Sequence, residues 1–164
     1  MRVINAPEVA EKLRPLTSVL QEKEIPNGIG KRFARYVEVD QELVTDLFSR
    51  FGLTWAKKEL TYGNFIGNHF VDGVYVPTHK DEAPKGFQHV RCNVAIKLPQ
   101  SGGRPVLGGE HLDINEGDVW VCFASIEEHS STPTQGGERI IFSIGGLVEE
   151  AEAIAAYERI KKGN

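Results

Sequence analysis

Two cysteines and one methionine are all the sulfur that 164 residues carry. Two thiols cannot build a disulfide framework, so the fold must rest on an apolar core. No stretch approaches the roughly 18 consecutive apolar residues of a membrane span, which excludes a transmembrane helix. Residues 1–16 also lack the apolar centre of a signal peptide, and a reducing cytoplasm is the default location. Charge of one sign is not concentrated anywhere. Nineteen Lys and Arg stand against twenty-three Asp and Glu, a net charge of -4, and the basic residues are scattered, which argues against a nucleic-acid surface. Repeats, low-complexity tracts and long linkers are absent as well. What remains is an ordinary globular composition, 40% hydrophobic and 26% charged, at a length that suits one domain spanning residues 1–164.

Three stretches follow from periodicity. In residues 1–59, Asn5 with Glu8 has the spacing of a capping pair, and Val9, Leu13, Leu16 and Leu20 form a stripe that predicts a helix, broken or restarted at Pro15. Lys31 to Val39 mixes aromatic and β-branched residues and predicts a strand after the Pro26-Asn27-Gly28 turn. Asp40 is placed to cap a helix carrying Leu43, Val44, Leu47, Phe48 and Phe51, with Gly52 at its end. Over residues 60–147 the period becomes two, with Gly, Pro and Asn at the turns, which predicts a β-sheet core. Val90, Cys92, Val94, Ile96 and Leu98 share one face of a strand, and Arg91, Asn93, Ala95 and Lys97 share the other. That second face can be solvent or interior. Residues 148–164 predict a C-terminal helix with Ile154 and Ile160 available for packing and a stop at Gly163. The expected class is mainly β with flanking helices.

The chemistry concentrates in three residues. His79 and Asp81 lie two apart, so on a strand they project from one face, and His129 can join them if a closed sheet returns beside the first strand. Two imidazoles and a carboxylate are the ligand set of a mononuclear non-haem iron site, and they leave three octahedral positions open. Arg139 sits in a β-rich run, where an inward guanidinium needs an anionic partner. Together with inward Ser143 it suits the distal end of a dicarboxylate.

The order His79-x-Asp81, His129, Arg139 resembles the iron(II)- and 2-oxoglutarate-dependent dioxygenases, in particular their compact prolyl-hydroxylase-like members. The frame is similar too: Gly102-Gly103 before Leu112, then Glu116 to Phe123 ending six residues before His129, and Thr132-Pro133 after it. The likeness covers Tyr62 to Leu147. It implies a double-stranded β-helix (jelly-roll, cupin-like) core with N-terminal helices and a C-terminal helix, whose lumen holds iron(II), 2-oxoglutarate and dioxygen. It further implies His79, Asp81 and His129 as iron ligands and Arg139 on the distal carboxylate of 2-oxoglutarate. Asn68, Arg91 and Asn93, and less directly Tyr62 and Asn64, are polar candidates for assisting the cosubstrate. Many relatives carry Ser or Thr two residues after the arginine, where this chain has Ile141, and Ser143 is the candidate substitute. Related halogenases replace the iron-binding carboxylate with a small residue, so Asp81 implies hydroxylation rather than halogenation. The substrate implied is a small molecule or an amino-acid side chain in a peptide, hydroxylated with release of succinate and carbon dioxide.

Plainer readings stand beside these. His129, next to Glu127, Glu128 and Ser130, also suits a solvated turn, and Arg139 can pair with Glu138 at a surface. His69, His89 and His111 lack the ligand spacing, and Cys92 and Cys122 read as small buried hydrophobes. Two other functions remain open: a cupin-like metal-binding protein or isomerase that makes no use of 2-oxoglutarate, and a silent ligand-binding domain on the same fold.

Overall fold

A computed structural model describes residues 2–22, 24–27, 30–36, 38–55, 65–69 and 72–163. In chain order these hold β1 (Val3–Asn5), α1 (Pro7–Leu13), a 3-10 segment (Arg14–Glu22), β2 (Glu24–Asn27), β3 (Gly30–Tyr36), α2 (Gln41–Arg50), β4 (Phe65–His69) and β5 (Phe87–Lys97). There follow β6 (Ser101–Gly102), β7 (Pro105–Leu107), β8 (Glu110–His111), β9 (Asp118–Cys122), β10 (His129–Ser131), β11 (Thr134–Gln135), β12 (Arg139–Glu149) and α3 (Glu150–Lys161). Seven strands form one antiparallel sheet in the order β1-β9-β5-β12-β4-β3-β2. Short sheets β10-β7-β8 and β11-β6 supply the second layer. Two antiparallel layers linked in this way are a jelly-roll, the double-stranded β-helix arrangement.

Strand alternation sorts side chains between two cores. Val90, Cys92, Val94 and Ile96 of β5, Val119 and Val121 of β9, and Phe142, Ile144 and Val148 of β12 pack with Val9 and Leu13 of α1, Leu47 and Phe48 of α2, and Ala153, Ala156 and Ile160 of α3. The alternate residues Ala95, Trp120, Cys122 and Ile141 pack with Leu107 of β7 and with Ile114 of the β8–β9 connection. The greasy face of β5 therefore meets the helices, and its polar face looks between the layers. Phe48 is fully buried, and a side chain on Gly146 of β12 would start only 2.9 Å from its ring. With so little room for relaxation, Phe48→Ala is expected to cost about 3–5 kcal/mol, read as a lower denaturation midpoint.

Several local expectations shift. The Asn5–Glu8 cap does not form, because Asn5 pairs with β9 and donates its side-chain amide to Asp118 Oδ1 at 2.8 Å. α1 instead starts on Pro7, whose missing N–H costs nothing at a helix start, and it ends at Leu13, two residues before Pro15. The strand expected from Lys31 to Val39 is described over Gly30–Tyr36, and Glu38 and Val39 lie outside any strand. Asp40 caps α2 through Glu42 N–H as expected, and Gly52 takes the positive φ of 68° that follows its end. On α3, Ile160 packs but Ile154 is 45% exposed; alanines 153 and 156 fill the buried face instead. Among the described residues no helix is long and apolar enough to cross a membrane.

Candidate metal centre and its cavity

Residues 74–84 form no regular strand, but their backbone bonds to Thr134, Ser131, His129 and Ala124 run them along β11 and β10. The expected strand around His79 is reduced to an isolated antiparallel bridge, in which His79 and His129 exchange backbone hydrogen bonds of 3.1 and 2.9 Å. That direct opposition puts the two side chains on one face, with ring centroids 4.2 Å apart. Asp81 is pinned by its own N–H, which donates to Ala124 O at 2.8 Å. Its Oδ1 lies 3.5 Å from His79 Nε2 and 3.8 Å from His129 Nε2. One ligand atom from each residue lies within 4.8 Å of the other two.

The donors are set up to receive a cation. His79 Nδ1 stands 2.7 Å from Pro77 O, and His129 Nδ1 stands 3.4 Å from Glu127 O. A carbonyl only accepts, so each ring can donate only from Nδ1 there, and Nε2 is the nitrogen that faces Asp81 Oδ1. Burial, reinforced by the charge of His79, holds the His129 pKa below its ordinary value against the pull of Asp81. Burial pushes Asp81 upward, yet the His89 hydrogen bond and the Arg91, His89 and His129 charges outweigh it and hold the carboxyl well below the usual range. Two imidazole nitrogens and one carboxylate oxygen fit a divalent ion such as iron(II).

Next to these residues lies a cavity of about 280 Å³. β5 contributes Arg91 and Asn93, β9 contributes Trp120 and Cys122, and β12 contributes Arg139, Ile141 and Ser143. The opposite wall is Pro105, Leu107 and Ser130, closed by Val76. Arg91 Nε reaches Asp81 Oδ2 at 3.3 Å and its terminal nitrogen donates to Ser143 Oγ at 3.2 Å, so Ser143 belongs to the Asp81 end of the cavity.

Arg139 forms another part of the wall and is only 7% exposed. Its Nε donates to Gly103 O at 2.6 Å, and burial lowers its pKa to about 10, which leaves it charged at neutral pH. Among the described residues no carboxylate lies within ion-pair distance of it. The alternative pairing with Glu138 does not occur: Glu138 accepts from Lys97 Nζ at 2.8 Å, as alternation on β12 requires. A buried cation facing a cavity suits an anionic ligand. Gly103 has φ of 63°, and a Cβ there would stand 2.9 Å from Arg139 Cδ and 3.0 Å from Pro99 Cγ. Gly103→Ala is therefore expected to shift Arg139 and weaken anion binding in the cavity about tenfold or more, checked by titrating 2-oxoglutarate into the metal-loaded protein.

Of the other candidates, Asn68 sits on β4 opposite Ile140, and its side chain is outside the described residues, as are Tyr62 and Asn64 altogether. His111 is exposed on β8. His89, whose spacing sets it apart from the ligands, stands behind Asp81. It is fully buried with Nδ1 2.9 Å from Asp81 Oδ2, and burial lowers its pKa, partly offset by the neighbouring Asp81 carboxylate. The signal was present in the strand period, since His89, Arg91 and Asn93 alternate along β5.

No family model matches the chain, and no curated protein matches its sequence. Solved structures do. A 2OG-Fe(II) oxygenase-family oxidoreductase from Burkholderia pseudomallei has a TM-score of 0.60 at 14% identity, covering 88% of this chain and 82% of that one. HygX from Streptomyces hygroscopicus, with nickel and 2-oxoglutarate bound, gives 0.59 at 10% identity over 90% and 82%. A Trichoplax adhaerens prolyl hydroxylase, in complex with a hypoxia inducible factor peptide fragment, gives 0.65 at 12% identity over 93% and 85%. The two-layered antiparallel core, with helices on one face and the His79, Asp81 and His129 cluster between the layers, is thus the double-stranded β-helix fold of the 2OG-Fe(II) oxygenases.

Proposed function

We propose that the chain is an iron(II)- and 2-oxoglutarate-dependent oxygenase that hydroxylates a small molecule or an amino-acid side chain in a peptide. One observation carries the reading: a buried guanidinium without a carboxylate partner among the described residues shares a cavity with a His-Asp-His donor set. A metal site alone needs no such cation, whereas a chelating dicarboxylate needs both ends. When bound, iron(II) with 2-oxoglutarate and dioxygen supplies the oxidising chemistry, with succinate and carbon dioxide as co-products.

The chain's own part is binding and exclusion of water. His79 and His129 would hold the ion through Nε2 and Asp81 through Oδ1. Arg139 would pair with the distal carboxylate through its terminal nitrogens, Nε being held by Gly103 O. Asn93, Arg91 and Ser143 would border the cosubstrate near the ion, and Asn68 is retained as a candidate from the sequence. Val76, Leu107, Trp120 and Ile141 give the cavity its apolar walls. We further propose that residues 1–164 act as one domain, supported by the packing of all three helices into one core cluster, and that the protein works in the cytoplasm, consistent with two buried free thiols.

Iron(II) followed by 2-oxoglutarate, titrated anaerobically into apoprotein, tests the reading. A visible charge-transfer band that is absent in His79→Ala is the expected result. Tight metal binding with no band on adding 2-oxoglutarate would move the assignment to a cupin-like metal protein.

A further inference from the structure

Asp81 has two oxygens, and they face different neighbours. Oδ1 points to the Nε2 atoms of His79 and His129 at 3.5 and 3.8 Å. Oδ2 meets His89 Nδ1 at 2.9 Å and Arg91 Nε at 3.3 Å. We propose that His89 is a positioning residue for the candidate metal centre: with Arg91 it occupies Oδ2, so that Asp81 offers an ion a single oxygen. This assignment rests on the metal-site reading above.

The difference matters chemically because a carboxylate can ligate through one oxygen or both. A six-coordinate ion held by two imidazoles and a one-oxygen carboxylate keeps three positions open; a two-oxygen carboxylate would leave two. A chelating 2-oxo acid together with dioxygen needs three.

His89 is also built not to follow the carboxylate. Its side chain is fully buried, and its backbone is tied on both sides to Ser125: the His89 N–H donates to Ser125 Oγ at 2.8 Å and its carbonyl accepts from Ser125 N–H at 3.3 Å. Ser125 Oγ in turn donates to Gln88 Oε1 at 2.6 Å. The preceding residue, Ala124, accepts the Asp81 N–H. One turn therefore fixes both the imidazole and the acid, which is how supporting residues hold a ligand in place before the ion arrives.

The test is manganese(II) binding to apoprotein without 2-oxoglutarate, by calorimetry, in wild type, His79→Ala, His89→Phe and His89→Asn. His89→Phe keeps the bulk and removes the donor; it is expected to bind manganese about 10–100-fold more weakly. His89→Asn, which can return an N–H donor near the position of Nδ1, is expected to recover most of that loss. Equal affinity in wild type and His89→Phe overturns the positioning role while leaving the metal site standing. Should His89→Phe fail to fold, 15N-histidine NMR of the wild type decides: a proton on His89 Nδ1 supports the assignment, and a ring protonated at Nε2 alone overturns it. Wild type that binds no manganese, or binds it as tightly as His79→Ala does, overturns the metal-site reading and this assignment with it.

Discussion

Alanine at His79, Asp81 or His129 is expected to abolish iron-dependent turnover, by about 10³-fold or more, because each loss removes a ligand from a set of only three and the ion contributes several kcal/mol to the barrier. Thermal denaturation separates this from general damage. An ion bound at 100 times its dissociation constant stabilises the folded chain by about 2.7 kcal/mol, so divalent metal should raise the wild-type Tm and leave the variants unmoved. The three variants should differ without metal. His79 is 45% exposed, and its removal is expected to change little. Asp81 is the acid facing His89 and Arg91, and its removal leaves Arg91 beside His89 without that counter-charge, so Asp81→Ala should be the least stable of the three. Full turnover in either His79→Ala or Asp81→Ala would sink the ligand assignment.

Arg139→Leu should move stability and binding in opposite directions. Losing one partner of a buried, hydrogen-bonded charge pair typically costs about 2–5 kcal/mol. The apparent 2-oxoglutarate requirement should therefore rise about 30-fold or more, with metal affinity nearly unchanged. Without ligand, however, the guanidinium is a buried charge with no carboxylate in reach among the described residues, and replacing such a charge with an apolar side chain is neutral or stabilising. The apoprotein should hold its Tm or gain. Arg139→Lys should not restore binding, because a point charge cannot reproduce the planar fork. A large loss of apoprotein stability together with unchanged 2-oxoglutarate binding would instead mean that Arg139 is a structural ion.

A histidine and an acid two apart are common, and the sequence exposes His79 and Asp81 through their surroundings, His129 and the apolar run around Arg139. Arg139 stands in an apolar run, so its inward direction follows from strand alternation before any contact is known, whereas His79 and Asp81 converge through an isolated bridge to His129 and a backbone bond to Ala124, not through a regular strand. The two faces of β5 were equally readable. Which one looked inward was not, because an interior lined by Arg91 and Asn93 has the polarity of a solvent-facing side. For the same reason the spacing of His89 reads only as that of a non-ligand histidine, hydrogen-bonded or exposed. Its role appears only when Asp81, eight residues earlier, folds back against it. The failed Asn5 cap has the same cause. Local spacing favoured a cap, and the distant residue Asp118 took the side chain.

β1 has only three residues, yet it is the outermost strand beside β9. All five residues of β9, Asp118–Cys122, are buried. Remove residues 1–5 and that strand becomes an open edge: a row of unpaired backbone groups flanked by Val, Trp and Cys, the kind of template on which a second chain can add. The same cut removes Arg2, which pairs with Glu127 at 3.1 Å in the turn leading to His129. A short N-terminal deletion should therefore be read as self-association, by light scattering, before any loss of helix is seen.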